Sequence, residues 1–222
     1  MIDNSFVFSC SDIKYKYPQQ KSFLLNNIDF HLSSNKCVKI LGANGSGKST
    51  LLFILSRLIK PISGVINFNH DNISKINFQE LSKIVGYIFQ NPENQIFGLD
   101  IKSELEFGLK NQKINPEEIK SKINFIKDYF NFNDLNQNSF ELSFGWKKLL
   151  SFSCIYLLNP KILIIDEPEI GLDPFTKLKI ENLLIEYIEK GNSVIFTSHS
   201  DSFLSSIDFS TLQLENGKLK TL

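Results

Sequence analysis

The sequence predicts an α/β fold in which an antiparallel β layer precedes a core of buried strands and a helical segment is inserted between two of them. Three observations predict it. A glycine-rich loop, Gly42 to Thr50, lies between an apolar strand and a helical run. Four apolar residues, Ile162-Leu163-Ile164-Ile165, deliver the acidic pair Asp166-Glu167 at a strand end. Between these, Ile119, Ile123, Ile126 and Phe130 recur at steps of four, three and four, one face of a helix.

Taken in order, Phe6-Val7-Phe8 and Ile13 to Tyr17 read as two strands, closed by Pro18, which cannot continue a ladder. Leu24 to Leu32 reads as another, alternating apolar and polar from Ile28. Cys37-Val38-Lys39-Ile40-Leu41 is a short buried strand, and Lys48 to Ile59 a helix. Pro61-Ile62-Ser63-Gly64 makes a turn, Val65 to Phe68 returns as a strand, and Ile84 to Phe89 is a strand ending at Gln90. The region from about Asp100 to Leu158 is mostly helical. One of its helices starts at Asn115-Pro116-Glu117-Glu118, with Asn as N-cap and Pro at the first helical position. Strand character resumes at Lys161 to Asp166, a helix spans Pro174 to Glu189 and stops at Gly191, and Ser193 to Thr197 is a strand. Asn216-Gly217 signals a closing hairpin.

The loop carries the first chemistry. Gly42-Ala43-Asn44-Gly45-Ser46-Gly47-Lys48-Ser49-Thr50 fits the pattern of a phosphate-binding loop: Gly, four residues, Gly, Lys, then Ser or Thr. Successive N–H groups in such a turn form a concave anion site, and the glycines leave room for the phosphates to reach them. Lys48 reaches the outer phosphates, the Ser49 hydroxyl can ligate Mg²⁺, and the following helix turns its N-terminus toward the anion. Asp166 supplies a carboxylate for the Mg²⁺ shell, and Glu167 is free to polarise a water against the γ-phosphate. His199, just past another apolar strand, can approach the same phosphate from the far side.

Composition bounds the rest. The chain has 222 residues, enough for one α/β domain with a subdomain, so residues 1–222 are expected to form a single unit. Lys plus Arg and Asp plus Glu both number 24, without a basic stripe, which disfavours direct nucleic-acid binding. Cys10, Cys37 and Cys154 are scattered and read as small core hydrophobes of a reducing compartment. A signal-peptide pattern and an apolar run of about 20 residues are both lacking, so the chain is expected to be cytosolic by itself.

These motifs, in this order, resemble the ATP-binding cassette (ABC) ATPases, P-loop NTPases with an antiparallel β layer and an inserted helical subdomain. Tyr17 precedes the loop, Gln90 ends a strand, and Leu142-Ser143-Phe144-Gly145-Trp146 resembles the family's signature. Ile162 to Glu167 resembles Walker B, Gly171-Leu172-Asp173-Pro174 the D-loop, and His199 the switch histidine. The resemblance implies ATP and Mg²⁺ as ligands, Tyr17 stacking on adenine, and Gln90 sensing both the Mg²⁺ and the attacking water. Ser143 and Gly145 would face the nucleotide of a partner subunit, and residues about 100–158 would form the helical subdomain.

Tyr87 to Phe97 and Glu104-Leu105-Glu106-Phe107-Gly108 narrow the resemblance to the ATPases of energy-coupling factor (ECF) transporters, including their cobalt, nickel and biotin relatives. That implies hydrolysis of ATP to drive uptake of a vitamin or transition-metal ion, at the cytoplasmic face of the membrane. The implied partners are a transmembrane scaffold subunit, a substrate-capturing membrane protein and a second ATPase. The C-terminal dimerisation extension common in these ATPases is expected to be missing. Departures matter too. Phe144 and Trp146 stand where the family has Gly and Gln, Leu149 where it often has Arg, and Glu169 where Thr usually follows the Walker B Pro. The altered signature is expected to be impaired, which favours a heterodimer over a homodimer. The alternatives are a soluble, non-transport ABC ATPase and an ATP-binding regulatory subunit with little turnover.

Overall fold

A computed structural model describes residues 5–198 and 203–222. Two sheets organise them. The first is antiparallel, with strand order β2-β1-β4-β5, where β1 is Val7–Tyr15, β2 Leu25–Ser33, β4 Ser63–Phe68 and β5 Asp71–Asn72. The second has the order β10-β9-β3-β8-β7-β6, with β3 at Cys37–Leu41, β6 Val85–Ile88, β7 Ile162–Asp166, β8 Ser193–Thr197, β9 Ser210–Glu215 and β10 Lys218–Thr221. Its strands β9, β3, β8, β7 and β6 run parallel, and β10 turns back through Asn216-Gly217. Both turn residues have positive φ, 49° and 72°, as a tight hairpin requires.

The helices are α1 (Lys48–Leu55), α2 (Phe78–Ile84), α3 (Ile101–Asn111), α4 (Pro116–Phe130), α5 (Phe144–Leu158) and α6 (Pro174–Glu189). Parallel strands read as continuous apolar runs because both faces are covered, and each face takes alternate side chains. Leu163, Ile165, Val194 and Phe196 pack with the cluster built by α3 to α6. Ile162, Ile164 and Ile195 point the other way, joining α1 and the antiparallel layer. The apolar face of α4 is buried in the helical cluster through Ile119, Ile123, Ile126 and Phe130. Asn115 caps that helix, its side chain accepting the Glu118 N–H at 2.8 Å.

Two elements differ from expectation. The opening pair of strands is one strand, β1, bent between Cys10 and Ile13 where Asp12 adopts φ 52° and the pairing register shifts. The Asp12 N–H is taken by the Asp29 carboxylate at 2.9 Å, so the bulge is stabilised from β2. Helix α1 stops at Leu55 rather than Ile59. Ser56 Oγ bonds back to the Leu52 carbonyl at 2.9 Å, and Arg57 turns left-handed. The Arg57 guanidinium then reaches the carbonyls of Ile73 and Ile76. A long-range capture ends the helix, where local periodicity alone would carry it on. Helix α2, with Asn77 as N-cap, was not anticipated from the sequence.

Candidate active site

The parallel strand order sets the site. β8 lies between β3 and β7, and β6 flanks β7, so the segments following these strands leave the same carboxyl-terminal edge side by side. Gly42 opens the phosphate loop directly after β3, and it has no room for a side chain: a Cβ there would lie 2.6 Å from the Leu214 carbonyl oxygen. Gly45 and Gly47 take φ of 78° and 102°, which L side chains adopt only under strain. Gly47 is the N-cap of α1 and offers no side chain, so the first-turn N–H groups are left to an external anion. The Lys48 ammonium donates to the carbonyls of Gly42 at 2.8 Å and Ala43 at 3.1 Å, which holds it over the loop.

The cleft around that loop is lined by Tyr17, Asn44, Gly45, Ser49, Gln90 and Glu167, among others. The Tyr17 hydroxyl lies 3.0 Å from Thr50 Oγ1, and its half-exposed ring meets Tyr15 edge-on at 5.1 Å. A planar, partly exposed ring on the rim can stack on a base.

Asp166 ends β7 and is buried. Its Oδ1 accepts from Thr197 Oγ1 at 2.5 Å, and its Oδ2 accepts a long 3.4 Å bond from the Tyr87 hydroxyl. Burial, and then the neighbouring Asp166 charge, push the Tyr87 pKa up, so the phenol stays a donor. Glu167 has φ 49°, an uncommon left-handed conformation for a non-glycine residue. Its N–H donates to Thr197 Oγ1 at 3.0 Å, and its carboxylate accepts from the side-chain amide of Gln90. Gln90, two residues beyond β6, thus meets Glu167 from across the edge. His199 lies outside the described residues.

The segment that resembles the signature opens α5. Ser143 is the N-cap of α5 and makes no side-chain cap bond, so the N-terminus of this 15-residue helix lacks a side-chain cap. Phe144 begins the helix with ordinary negative φ, so its bulk brings no backbone strain. Its ring lies against Gly171, where a Cβ would come within 2.6 Å of two ring carbons. Trp146 packs on Phe132 at 5.3 Å. Gly145 also faces Gly171: a Cβ at 145 would lie 3.2 Å from its carbonyl oxygen.

Mg²⁺ binds through oxygen, retains waters and shares substrate phosphates. Ser49 and Asp166 offer a hydroxyl and a carboxylate, and the long bond from Tyr87 leaves Asp166 Oδ2 with acceptor capacity. Among the described residues no group of three or more His, Cys, Asp and Glu side chains could hold a metal. A few oxygen donors completed by water and phosphate fit Mg²⁺, with Gln90 close enough to Glu167 to join the outer shell.

Three residues of the site were not singled out from the sequence. Lys148 is buried in α5 and donates to the Glu167 carbonyl at 2.5 Å. Burial pulls its pKa down to about 8, against the opposing fields of Glu169, Glu167 and Asp166. Gln95 accepts the Phe89 N–H at 3.2 Å and donates to the Ser151 carbonyl at 3.0 Å, joining the Gln90 segment to α5. Thr197 links Asp166 to Glu167. A lysine in a helix and a threonine in a strand carry no local signal, because their partners are remote in sequence.

Residues 25–169 match the family model described as ABC transporter. The chain is similar to the energy-coupling factor transporter ATP-binding protein EcfA1 of Mycoplasmoides gallisepticum, 32% identical over 220 residues, 99% of this chain and 78% of that protein. It is similar to EcfA of Malacoplasma penetrans, 33% identical over 195 residues, covering 87% of this chain and 68% of that one. Among solved structures, cbiO1 of Clostridium perfringens, part of the ABC transporter complex cbiONQ, superposes with TM-score 0.79 at 28% identity, over 97% of this chain and 87% of that one. No helix among the described residues is long and apolar enough to cross a membrane. A phosphate loop, an acidic strand end and a glutamine converging on one sheet edge agree with these matches, and the chain belongs to the ABC transporter family as an ATP-binding ATPase.

Proposed function

We propose that this chain is the ATP-hydrolysing subunit of an importer of the energy-coupling factor type, working on the cytoplasmic face of the cell membrane. The observation that carries this reading is the position of Gln95. Its side chain bonds the backbone beside Gln90, and it also lines an apolar groove with Phe78, Phe97 and Phe107. Phe78, Phe97 and Phe107 are exposed, and Phe97 and Phe107 meet edge-on at 4.6 Å. A groove of this kind suits an amphipathic helix. The transmembrane scaffold subunit would supply that helix, and a substrate-capturing membrane protein would choose the solute, a vitamin or transition-metal ion. The names of the EcfA, EcfA1 and cbiO1 relatives support the same assignment.

In this reading the loop amides of Gly42 to Gly47 and the α1 N-terminus hold the phosphates, and Tyr17 holds the base. Lys48 leaves the loop carbonyls for the outer phosphates, where its charge offsets what builds up during transfer. Ser49 and Asp166 would hold Mg²⁺, with Gln90 at its edge; when bound, the ion draws negative charge from the phosphate oxygens. Glu167 orients and polarises the attacking water, with the Gln90 amide orienting its carboxylate. His199 would contact the γ-phosphate. Phosphoryl transfer depends on such positioning and charge stabilisation rather than on covalent chemistry.

The second ATPase follows from Phe144 and Trp146. In an ABC dimer each nucleotide sits between one subunit's loop and the other's signature. A different partner with an ordinary signature would complete the site on Lys48 and Glu167, while the partner's own nucleotide would face Phe144 and Trp146. Copurification of the full chain with its membrane partners, followed by ATP-dependent solute uptake into vesicles, tests the proposal. Hydrolysis that is indifferent to any membrane subunit would overturn it in favour of a non-transport ATPase.

A further inference from the structure

We propose that Lys148 is a positioning residue for Glu167. The inference rests on reading Glu167 as the residue that acts on the attacking water. Among the described residues, Glu167 is held through its N–H, its carboxylate and its carbonyl. Thr197 takes its N–H, Gln90 meets its carboxylate, and Lys148 donates to its carbonyl. Only the last of these comes from a different structural layer, the helix α5. The left-handed φ of Glu167 turns the chain sharply at the end of β7, and such a conformation persists only where its surroundings over-determine it. The Glu167 carbonyl accepts a long 3.4 Å bond from the Ile170 N–H, and the much shorter bond from the Lys148 ammonium adds the constraint that holds the peptide after Glu167 in one orientation.

A buried cation is unfavourable unless paired and hydrogen-bonded, and Lys148 is 2% exposed. Glu169 exerts the strongest of the carboxylate fields on it. Glu169 is itself buried and accepts from Ser198 Oγ at 2.6 Å, the residue directly after Thr197. One of this chain's departures from the family's pattern, Glu169, thus lies within the field that Lys148 experiences. The charge that reaches the acidic strand end from α5 is that of Lys148, through its bond to the Glu167 carbonyl. Helix α5 also carries Ser143 to Trp146 at its start, so any displacement of the signature helix shifts the ammonium on which the Glu167 backbone rests.

A double-mutant cycle on the assembly of the full chain with its copurifying partners decides this. Lys148→Met keeps the length of the stem and removes the charge and donors. It should lower kcat about tenfold or more while leaving the ATP dissociation constant within about threefold, since the group acts through Glu167 and not on nucleotide. In the Glu167→Gln background the same change should add almost nothing. Lys148→Arg, which keeps charge and donors, should recover kcat to within about threefold, and it also controls for misfolding of the methionine variant. If Glu167→Gln abolishes turnover while Lys148→Met does not, the positioning role is overturned and the role of Glu167 stands. A Lys148→Met loss of the same size in both backgrounds, or an arginine variant no better than methionine, overturns it as well. Full turnover by Glu167→Gln would remove the underlying reading of Glu167 instead.

Discussion

Gln90 donates its side-chain N–H to Oε2 of Glu167, so the segment after β6 and the end of β7 meet at a single carboxylate. A carboxylate accepts from several donors at once, so the Gln90 amide can orient Glu167 while it also accepts from a water. Glu167→Gln is therefore expected to retain ATP binding and lose about 10² to 10⁴ in kcat, the usual contribution of a positioned base. Lys48→Ala is expected to weaken ATP binding and abolish hydrolysis, because its ammonium acts on phosphate in the ground state as well. Equilibrium nucleotide binding together with steady-state turnover separates the two effects. Parental turnover by Glu167→Gln in the complete transporter would contradict the assignment.

The groove beside Gln95 should affect coupling more than chemistry. Glu93, largely exposed, pairs with Lys147 of α5 at 2.9 Å. Such pairs contribute up to about 1 kcal/mol, so Glu93→Lys should leave folding and ATP affinity nearly unchanged. Solute uptake per ATP hydrolysed should fall in Glu93→Lys and in Phe97→Ala. Parallel loss of affinity and uptake would point to a simple stability effect.

Gln95→Leu should act from inside the same connection. It leaves the Phe89 N–H and the Ser151 carbonyl without their partner, at a cost of about 1–3 kcal/mol each if water cannot replace it. The expected result is a folded protein of lower melting temperature whose basal hydrolysis no longer responds to the membrane subunits. Hydrolysis in detergent, with and without those subunits, reads this directly.

The signature variants test the heterodimer. An assembly containing only this ATPase should turn over slowly, and Phe144→Gly with Trp146→Gln should raise its rate. Glycine at the first helical position costs α5 about 1 kcal/mol at most and frees the face of Gly171. Robust hydrolysis by the unaltered chain as sole ATPase would rule out the heterodimer argument.

Lys148 also gives a pH dependence with a definite sign. Its folded-state pKa, about 8, lies below its ordinary value of 10.5. Between those values the folded protein has released a proton that the unfolded chain still holds, so this group raises stability as pH increases. Below about pH 8 both states are protonated and the full cost of the buried charge remains. Cys10 and Cys37, whose thiols burial pushes up to about 12, act oppositely above pH 9. Comparison with Lys148→Met cancels the thiols. Relative to the methionine variant, the parent should gain on the order of 3 kcal/mol of stability from pH 7 to 10.5, measured by urea unfolding without nucleotide.

Much of this was legible locally. The loop from Gly42 to Thr50, the apolar run into Asp166-Glu167, the cap at Asn115 and the Asn216-Gly217 turn each depend on residues within a few positions of one another. Backbone angles, capping bonds and period are short-range physics, so those elements follow from the chain as written. The apolar stripe of α4 was equally readable, since a helix of 15 residues must bury one face.

The remainder depends on groups distant in sequence. Strand spacing says nothing of the order β3-β8-β7-β6, yet that order alone brings Gln90, Asp166, Glu167 and the phosphate loop to one edge. The early end of α1 depends on Arg57 meeting carbonyls sixteen and nineteen residues on. Lys148 is an ordinary lysine until α5 packs against β7, when burial and a carbonyl nineteen residues away give it a task. Phe144 lies on Gly171 without backbone strain, a contact set by packing between segments remote in sequence. Hydrophobic burial chooses which elements pack together, and hydrogen bonds across those contacts then select the site residues that no local pattern marks.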